Sequence, residues 1–458
     1  MSTIPQEIFK AYDIRGIVGK SLTAEVVELV GRALGTLCLE RGGKAIAVGR
    51  DGRLSGPELV NALSRGIQST GTDVHDVGMV PTPLVYYAAH QLGLGSAVAV
   101  TGSHNPPDYN GLKMVIAGTT LSGDEIQNLR KRVEAGVFAQ GTGKRFESPV
   151  RDAYLDHVLG DVKLARPMSI AIDCGNGVAG AVAPELYKRL GCKVLELYSD
   201  VDGNFPNHHP DPSQPKNLQD LIKAVRESDA ELGLAFDGDG DRLGVVTKDG
   251  SIIYADRQLM LFAKDVLSRV PGGKVIYDVK CTRNLAPWIK QYGGEPVLWK
   301  TGHSFIKAKL KESGAPLAGE MSGHIFFVER WFGFDDGLYA GVRLLEILSR
   351  DKDPSATLKA LPDSVTTPEL NIKLNEGEPH KLIAQLQKEA KFPPGADVIT
   401  LDGVRVEYED GFGLARASNT TPVVVLRFEA KDEAGLQRIQ ADFAKVLKAV
   451  KPDIQLPF

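Results

Sequence analysis

Short apolar runs recur along this chain, each followed by a glycine-rich turn and then a stretch with helical spacing. Val26, Val30, Ala33, Leu34 and Leu37 fall on one helical face, and Gly42 and Gly43 end the helix this predicts over 26–37. The strand AIAV (45–48) follows, and the loop GRDGR leaves it. The same rhythm returns at AVAV (97–100) into TGSHNPP, at SIAID (169–173) into CGNGVAG, at LGLAF (232–236) into DGDGDR, and at KVIYD (274–278) into VKCTRN. Short apolar strands alternating with amphipathic helices predict parallel or mixed sheets with crossover helices.

The pattern changes near the C-terminus. GVRVEYEDGFGLARASNTTPVVVLRFEA alternates as antiparallel strands do, and a helix from about Glu433 to Val450 closes the chain. At 458 residues the chain is too long for one core. The expected fold class is α/β: three similar α/β domains with mixed sheets plus a C-terminal α+β domain. The breaks in pattern put the domains at 1–149, 150–251, 252–363 and 364–458. No repeat is visible residue by residue.

Composition narrows the partners. With 43% hydrophobic and 24% charged residues and a net charge of -4, the chain has no overall attraction for nucleic acid or an anionic membrane. Any anionic ligand must be held by a local cluster of arginine and lysine. Cys38, Cys174, Cys192 and Cys281 are widely spaced, which predicts free thiols in a cytoplasmic setting. No signal-peptide pattern and no membrane-spanning run is expected.

Candidate chemistry gathers in the loops that leave strands, where open α/β sheets bind ligands. Ser103 and His104 follow the strand 97–100 in a loop stiffened by Pro106 and Pro107, yet Thr101 and Asn105 replace both glycines of a serine-hydrolase elbow. Alone, that loop reads equally well as a capping turn. DGDGDR places Asp237, Asp239 and Asp241 at alternating positions after an apolar strand. Three such carboxylates repel one another unless a cation sits among them, and hard oxygen donors suit Mg²⁺. An EF-hand is excluded by Arg242 and Lys248 at loop positions six and twelve. The aspartates are expected on an exposed loop.

Gly175, Gly177 and Gly180, with Asp200 beyond them, match a dinucleotide-binding fingerprint. A dehydrogenase would leave the serine loop and the aspartates without a role, so tight helix–strand packing is the favoured reading. GEMSGH gathers Glu320, Ser322 and His324, groups suited to vicinal hydroxyls and proton transfer. RASNTTP offers Arg416, Ser418, Asn419 and Thr420, the inventory of a phosphate cradle, although a polar hairpin turn is slightly favoured for this segment alone. His208 and His209 read as a turn-stabilising pair.

Together and in this order, TGSHNPPDYNGLK, DGDGDR, GEMSGH and RASNT resemble the α-D-phosphohexomutase family, most closely its bacterial phosphomannomutase/phosphoglucomutase branch. The opening FKAYDIRG (9–16) is also similar to that family's start, and Met321 favours this branch over the phosphoglucosamine one. The resemblance implies that the four domains are arranged around a central active-site cleft. It implies a phosphoserine at Ser103, with its phosphate, Asp237, Asp239 and Asp241 binding Mg²⁺. It also implies that Arg15, His104, Lys113 and Arg242 surround the transferring group and that His324 is a candidate general base. Glu320 and Ser322 would hold sugar hydroxyls, and Arg416, Ser418, Asn419 and Thr420 the idle phosphate. Tyr12, Lys280, His303 and Arg257 would be further substrate contacts.

The implied activity interconverts hexose 1-phosphate and hexose 6-phosphate, for glucose and mannose, with glucose 1,6-bisphosphate as intermediate and activator. Phosphorylated hexoses are then the partners, and a monomer is compatible with the sequence. A phosphoglucosamine mutase, a Mg²⁺-dependent sugar phosphatase and a non-catalytic sugar-phosphate-binding protein are the alternatives.

Overall fold

A computed structural model describes residues 4–458. The chain forms four sheets in sequence order. The first runs Ile14–Ile17, Tyr109–Ile116, Ala97–Val100, Ala45–Arg50, Asp73–Met79, Arg145–Glu147, with its central strands parallel and the Tyr109–Ile116 strand antiparallel to both neighbours. In the second, Lys193–Leu197, Ser169–Asp173 and Leu232–Phe236 are parallel and Leu243–Thr247 turns back on the last of them. In the third, Glu295–Trp299, Lys274–Asp278 and Leu317–Gly319 are parallel and Ile325–Phe327 turns back. The fourth is antiparallel throughout, with Gly411–Ala417 and Val423–Ala430 at its centre.

A repeat that the residues hide is plain in this topology. In each sheet one of the hairpins that join consecutive strands carries the candidate chemistry in its loop: 101–108, 237–242, 320–324 and 418–422. In the first three the loop leaves the carboxyl end of a strand that is parallel to its other neighbour, where backbone polar groups are free of the ladder.

The helix expected over 26–37 spans Ala24–Glu40, begun by the Thr23 hydroxyl accepting from the Val26 amide. Glu433–Val450 is helical as expected, with Asp432 capping Gly435. One apolar core runs through the second and third domains and reaches the helix Thr82–Gln91 of the first. The fourth domain has a core of its own and meets the third through a small patch of Val279, Phe412 and Leu414. All four cysteines are buried and unpaired. Among the described residues, no helix is long and apolar enough to cross a membrane.

The fingerprint glycines serve packing. A Cβ on Gly180 would lie 2.0 Å from the Ser199 carbonyl oxygen, and one on Gly177 would lie 2.9 Å from Gly238, so the protein's own backbone fills that space. His208 bonds Asp173 at 3.0 Å and pins the loop beside it, in keeping with a structural role.

Candidate active site

The four hairpin loops converge on one cleft. Its wall includes Tyr12, Arg15, Ser103, His104 and Lys113 from the first domain, Arg242 from the second, and Lys280, His303, Glu320, Ser322 and His324 from the third. Arg416, Ser418, Asn419 and Thr420 complete it from the fourth. One expected contact is absent. Arg257 points away and donates to the Leu361 carbonyl at 2.9 Å while pairing with Asp363 at 3.0 Å. It ties the helix Ala255–Leu267 to the segment that leads into the fourth domain, which leaves its guanidinium no reach into the cleft.

Ser103 lies in the left-handed region at φ 50°, a strained setting for a residue with a side chain and one that clusters at functional sites. Its amide donates to the Thr101 hydroxyl at 2.8 Å. Its Oγ is 3.1 Å from Asp237 Oδ2 and 3.2 Å from His104 Nδ1. The serine loop and the aspartate loop therefore meet at the serine oxygen. His104 is held well below the usual imidazole range by burial and by the positive charges of Arg242, Arg15 and Lys113, so it is neutral at pH 7. Arg15 spans the loop, donating to Asn105 Oδ1 at 2.5 Å and pairing with Asp13.

Asp237, Asp239 and Asp241 are fully buried, which corrects the expectation of an exposed loop. The glycines between them belong to a hairpin sunk between domains, where Thr82 of the first domain bonds Asp239 at 2.6 Å. Burial pushes the Asp237 carboxyl well up, and Asp239 and Asp241 add to the shift. Burial also raises Asp239, but the Lys113 ammonium outweighs it and holds that carboxyl well below its usual value. The three carboxylates offer oxygens within 4.8 Å of one another, and Oδ1 of both Asp239 and Asp241 is buried without a donor. Buried acceptors with no donor and a hard-oxygen donor set suit a divalent cation such as Mg²⁺.

His324 Nε2 accepts from Arg242 Nε at 3.0 Å, which leaves the ring proton on Nδ1. Nδ1 lies 3.1 Å from Asp335 and 3.4 Å from Asp241. Burial raises the Glu320 carboxyl, and its Oε1 accepts from the Gly302 amide at 2.5 Å. Lys280 pairs with Glu369 at 2.9 Å across the approach to the fourth domain. Arg416 Nε donates to Asp402 at 3.1 Å, while its Nη2 is buried with no acceptor, a donor left over for an anion.

Three carboxylates that organise these loops escaped the sequence reading. Asp278 accepts from the Thr301 hydroxyl at 2.6 Å and the Met321 amide at 3.0 Å. Asp335 faces His324 and bonds Lys307 at 2.9 Å, and Asp402 also takes the Thr301 amide at 2.9 Å. The acidic pair in GFDDGLY was the one visible signal, since two carboxylates before an apolar helix are more than a cap needs.

Four family models cover nearly the whole chain: Phosphoglucomutase/phosphomannomutase alpha/beta/alpha domain I at 6–140, domain II at 152–250, domain III at 254–365, and the C-terminal domain at 369–446. The phosphoglucomutase of Neisseria gonorrhoeae is 60% identical over 452 residues, 98% of each chain. The phosphomannomutase/phosphoglucomutase of Pseudomonas aeruginosa is 57% identical over 457 residues, 100% of this chain and 98% of that one. A crystal structure of a phosphoglucomutase/phosphomannomutase family protein from Burkholderia thailandensis superposes with a TM-score of 0.95 at 60% identity, covering 100% of both chains. With four domains matched in order and two such relatives along its whole length, the chain belongs to the α-D-phosphohexomutase family and is an isomerase-class mutase that interconverts hexose phosphates.

Proposed function

We propose that the protein converts the 1-phosphates of glucose and mannose to their 6-phosphates, and back, through a phosphoserine at Ser103 and a 1,6-bisphosphate. The supporting observation is the meeting of Ser103 Oγ with Asp237 at 3.1 Å in a cleft that also holds the spare guanidinium donor of Arg416. Asp237, Asp239, Asp241 and a phosphoryl oxygen on Ser103 would hold Mg²⁺. Bound there, the ion neutralises the carboxylates and draws charge from the phosphoryl group.

The chain's own groups do the remainder. In the first half, the O6 hydroxyl of the 1-phosphate attacks phosphorus, a new O6–P bond forms, the Ser103 Oγ–P bond breaks, and the O6 proton leaves to a base. His324 is our candidate for that base in one direction, through Nε2 once Arg242 releases it. His104, 3.2 Å from Ser103 Oγ, is placed to relay a proton: its neutral ring takes one up from solvent and passes it to the departing serine oxygen, which returns the ring to its neutral form. Arg15, Lys113 and Arg242 bring positive charge to the equatorial oxygens, where preorganised charge counts most. In the second half the bisphosphate has turned end for end: Ser103 Oγ gives up its proton and bonds the C1 phosphorus, the O1–P bond breaks, O1 takes a proton, and the 6-phosphate leaves.

Glu320 and Ser322 would grip hydroxyls common to both orientations, with Tyr12, Lys280 and His303 beside them. Arg416, Ser418, Asn419 and Thr420 would hold whichever phosphate is not reacting. The test is an assay that interconverts glucose 1- and 6-phosphate with and without added 1,6-bisphosphate. Turnover that the bisphosphate primes in dephosphorylated enzyme supports the proposal. Phosphate released to solution in place of isomer would identify a phosphatase and overturn it.

A further inference from the structure

The serine loop rests on a residue outside the cleft. Arg53 leaves the strand Ala45–Arg50 through the turn GRDGR, is 1% exposed, and contributes nothing to the cleft wall. Its guanidinium donates to the carbonyl oxygens of Ser103 at 2.9 Å, Asn105 at 2.7 Å, Pro106 at 2.5 Å and Tyr109 at 2.9 Å. Its Nε donates to Asp51 Oδ2 at 3.2 Å. All five N–H donors of the fork are thereby spent on one loop and its anchor.

Asp51 completes the clamp from the other side of the serine. Its carboxylate accepts from the Thr101 hydroxyl at 2.8 Å, the Gly102 amide at 3.1 Å and the Arg53 amide at 3.0 Å. The donors before Ser103 are thus held by an anion, and the acceptors from Ser103 onward by a cation. The fit is tight: a Cβ on Gly102 would lie 2.4 Å from the guanidinium, and one on Gly238, in the aspartate loop, would lie 2.3 Å from the Ser103 carbonyl oxygen. The second domain closes the far side, with the centre of the Phe205 ring 5.2 Å from the guanidinium carbon.

A loop with two prolines and a left-handed serine has few backbone bonds of its own, so its conformation needs an external template. We infer that Arg53 is the positioning residue that fixes the direction of Ser103 Oγ toward the incoming hydroxyl, with Phe205 coupling that clamp to the second domain. The inference rests on the proposed phosphoserine chemistry. It requires the planar fork and not merely a positive charge, because the three donors of a lysine ammonium radiate from a point and cannot serve four separated carbonyls.

The experiment compares wild type, Arg53→Lys and Phe205→Leu in the hexose 1-phosphate assay, with circular dichroism on each protein. Wild-type turnover tests the proposed function by itself, and only the variants test the clamp. Arg53→Lys is expected to keep its fold and its KM within about twofold, because the sugar and phosphate loops are untouched. Its kcat should fall by about 10²-fold, the cost of misplacing a reacting atom by roughly 1 Å. Unchanged kcat, or a raised KM with kcat intact, overturns the inference. Should Arg53→Lys not fold, Phe205→Leu decides. A drop in kcat of at least about threefold at constant KM sustains the clamp, and unchanged kcat overturns it.

Discussion

The ammonium of Lys113 sits between Asp239 and Asp241, 2.8 Å from an oxygen of the first and 2.5 Å from an oxygen of the second. Burial works against its charge, but the two aspartates outweigh burial and hold its pKa well above the usual lysine value. The chain therefore carries a cation of its own at the edge of the carboxylate cluster. That accounts for how three buried aspartates can fold before any metal binds.

The consequence is a separation of stability from activity. Chelating divalent ions should abolish turnover in the wild type while moving its thermal midpoint little, and Mg²⁺ should restore the rate. Lys113→Met removes the internal cation and leaves buried charge uncompensated, a loss worth about 3–5 kcal/mol. Its chelated form should melt several degrees lower and recover on adding Mg²⁺. A chelated variant as stable as chelated wild type would contradict this.

Asp239→Asn tests the carboxylates themselves. Losing an outer partner of a metal costs up to about 100-fold in affinity, and a direct oxygen ligand should cost at least as much. Half-maximal activity should need correspondingly more Mg²⁺. Because Asp239 is fully buried and bonded to Thr82 and Lys113, this variant should also lose stability. Unaltered Mg²⁺ dependence would mean that the metal lies elsewhere.

Ser103→Ala should bind sugar phosphate and lose turnover to background. The intact wild type should contain a species one phosphoryl group heavier, and the extra mass should map to the peptide holding Ser103. Turnover surviving in Ser103→Ala would remove the phosphoserine from the mechanism.

Asp336 gives a pH signature. Burial pushes its carboxyl up to about 7, against the Tyr339 amide and the Tyr154 hydroxyl that favour its charged form. Unfolded, it titrates near about 3.9. Across that window the native state holds a proton that the unfolded state has released. Stability is therefore full at the acid end, falls as pH rises through the window, and levels off above it. Asp336→Asn keeps the acceptor that caps the helix Gly337–Leu348 and removes the titration. The thermal midpoint of the wild type should decline more steeply than the variant's between pH of about 5 and about 7.5. Parallel profiles would refute the assignment.

What the sequence made legible follows from how local each signal is. SIAID, LGLAF and KVIYD are strands at the expected residues because buried parallel strands are short, contiguous and apolar. The serine loop and the aspartate triplet were readable because their groups lie side by side in the chain. Arg53, Asp278, Asp335 and Asp402 were not, because each acts on residues tens of positions away or in another domain, and each looks like an ordinary charged residue in its own neighbourhood. The burial of the aspartates was misread for the same reason. DGDGDR has the composition of an exposed turn, and the first and third domains packed against the loop bury it. Arg257 went to the cleft on resemblance alone, while its actual partners lie more than a hundred residues downstream.

Specificity supplies the sharpest test of the sugar contacts. Glucose and mannose differ only at C2, and galactose differs from glucose at C4. In the proposed function Glu320 and Ser322 would hold O3 and O4, which glucose and mannose share. Glu320 is buried and already fixed at one oxygen by the Gly302 amide, so a misplaced C4 hydroxyl would leave its carboxylate short of a partner in a desolvated place. Buried polar groups left unpaired by the wrong substrate are what reject it, by up to ~10⁴-fold. Glucose 1-phosphate and mannose 1-phosphate should therefore turn over with comparable kcat/KM. Galactose 1-phosphate should be poorer by at least about 10²-fold, and Glu320→Gln should narrow that gap by slowing glucose more than galactose. All three sugars must be measured on one preparation. Strong rejection of mannose, or ready acceptance of galactose, would show that these two residues hold other hydroxyls.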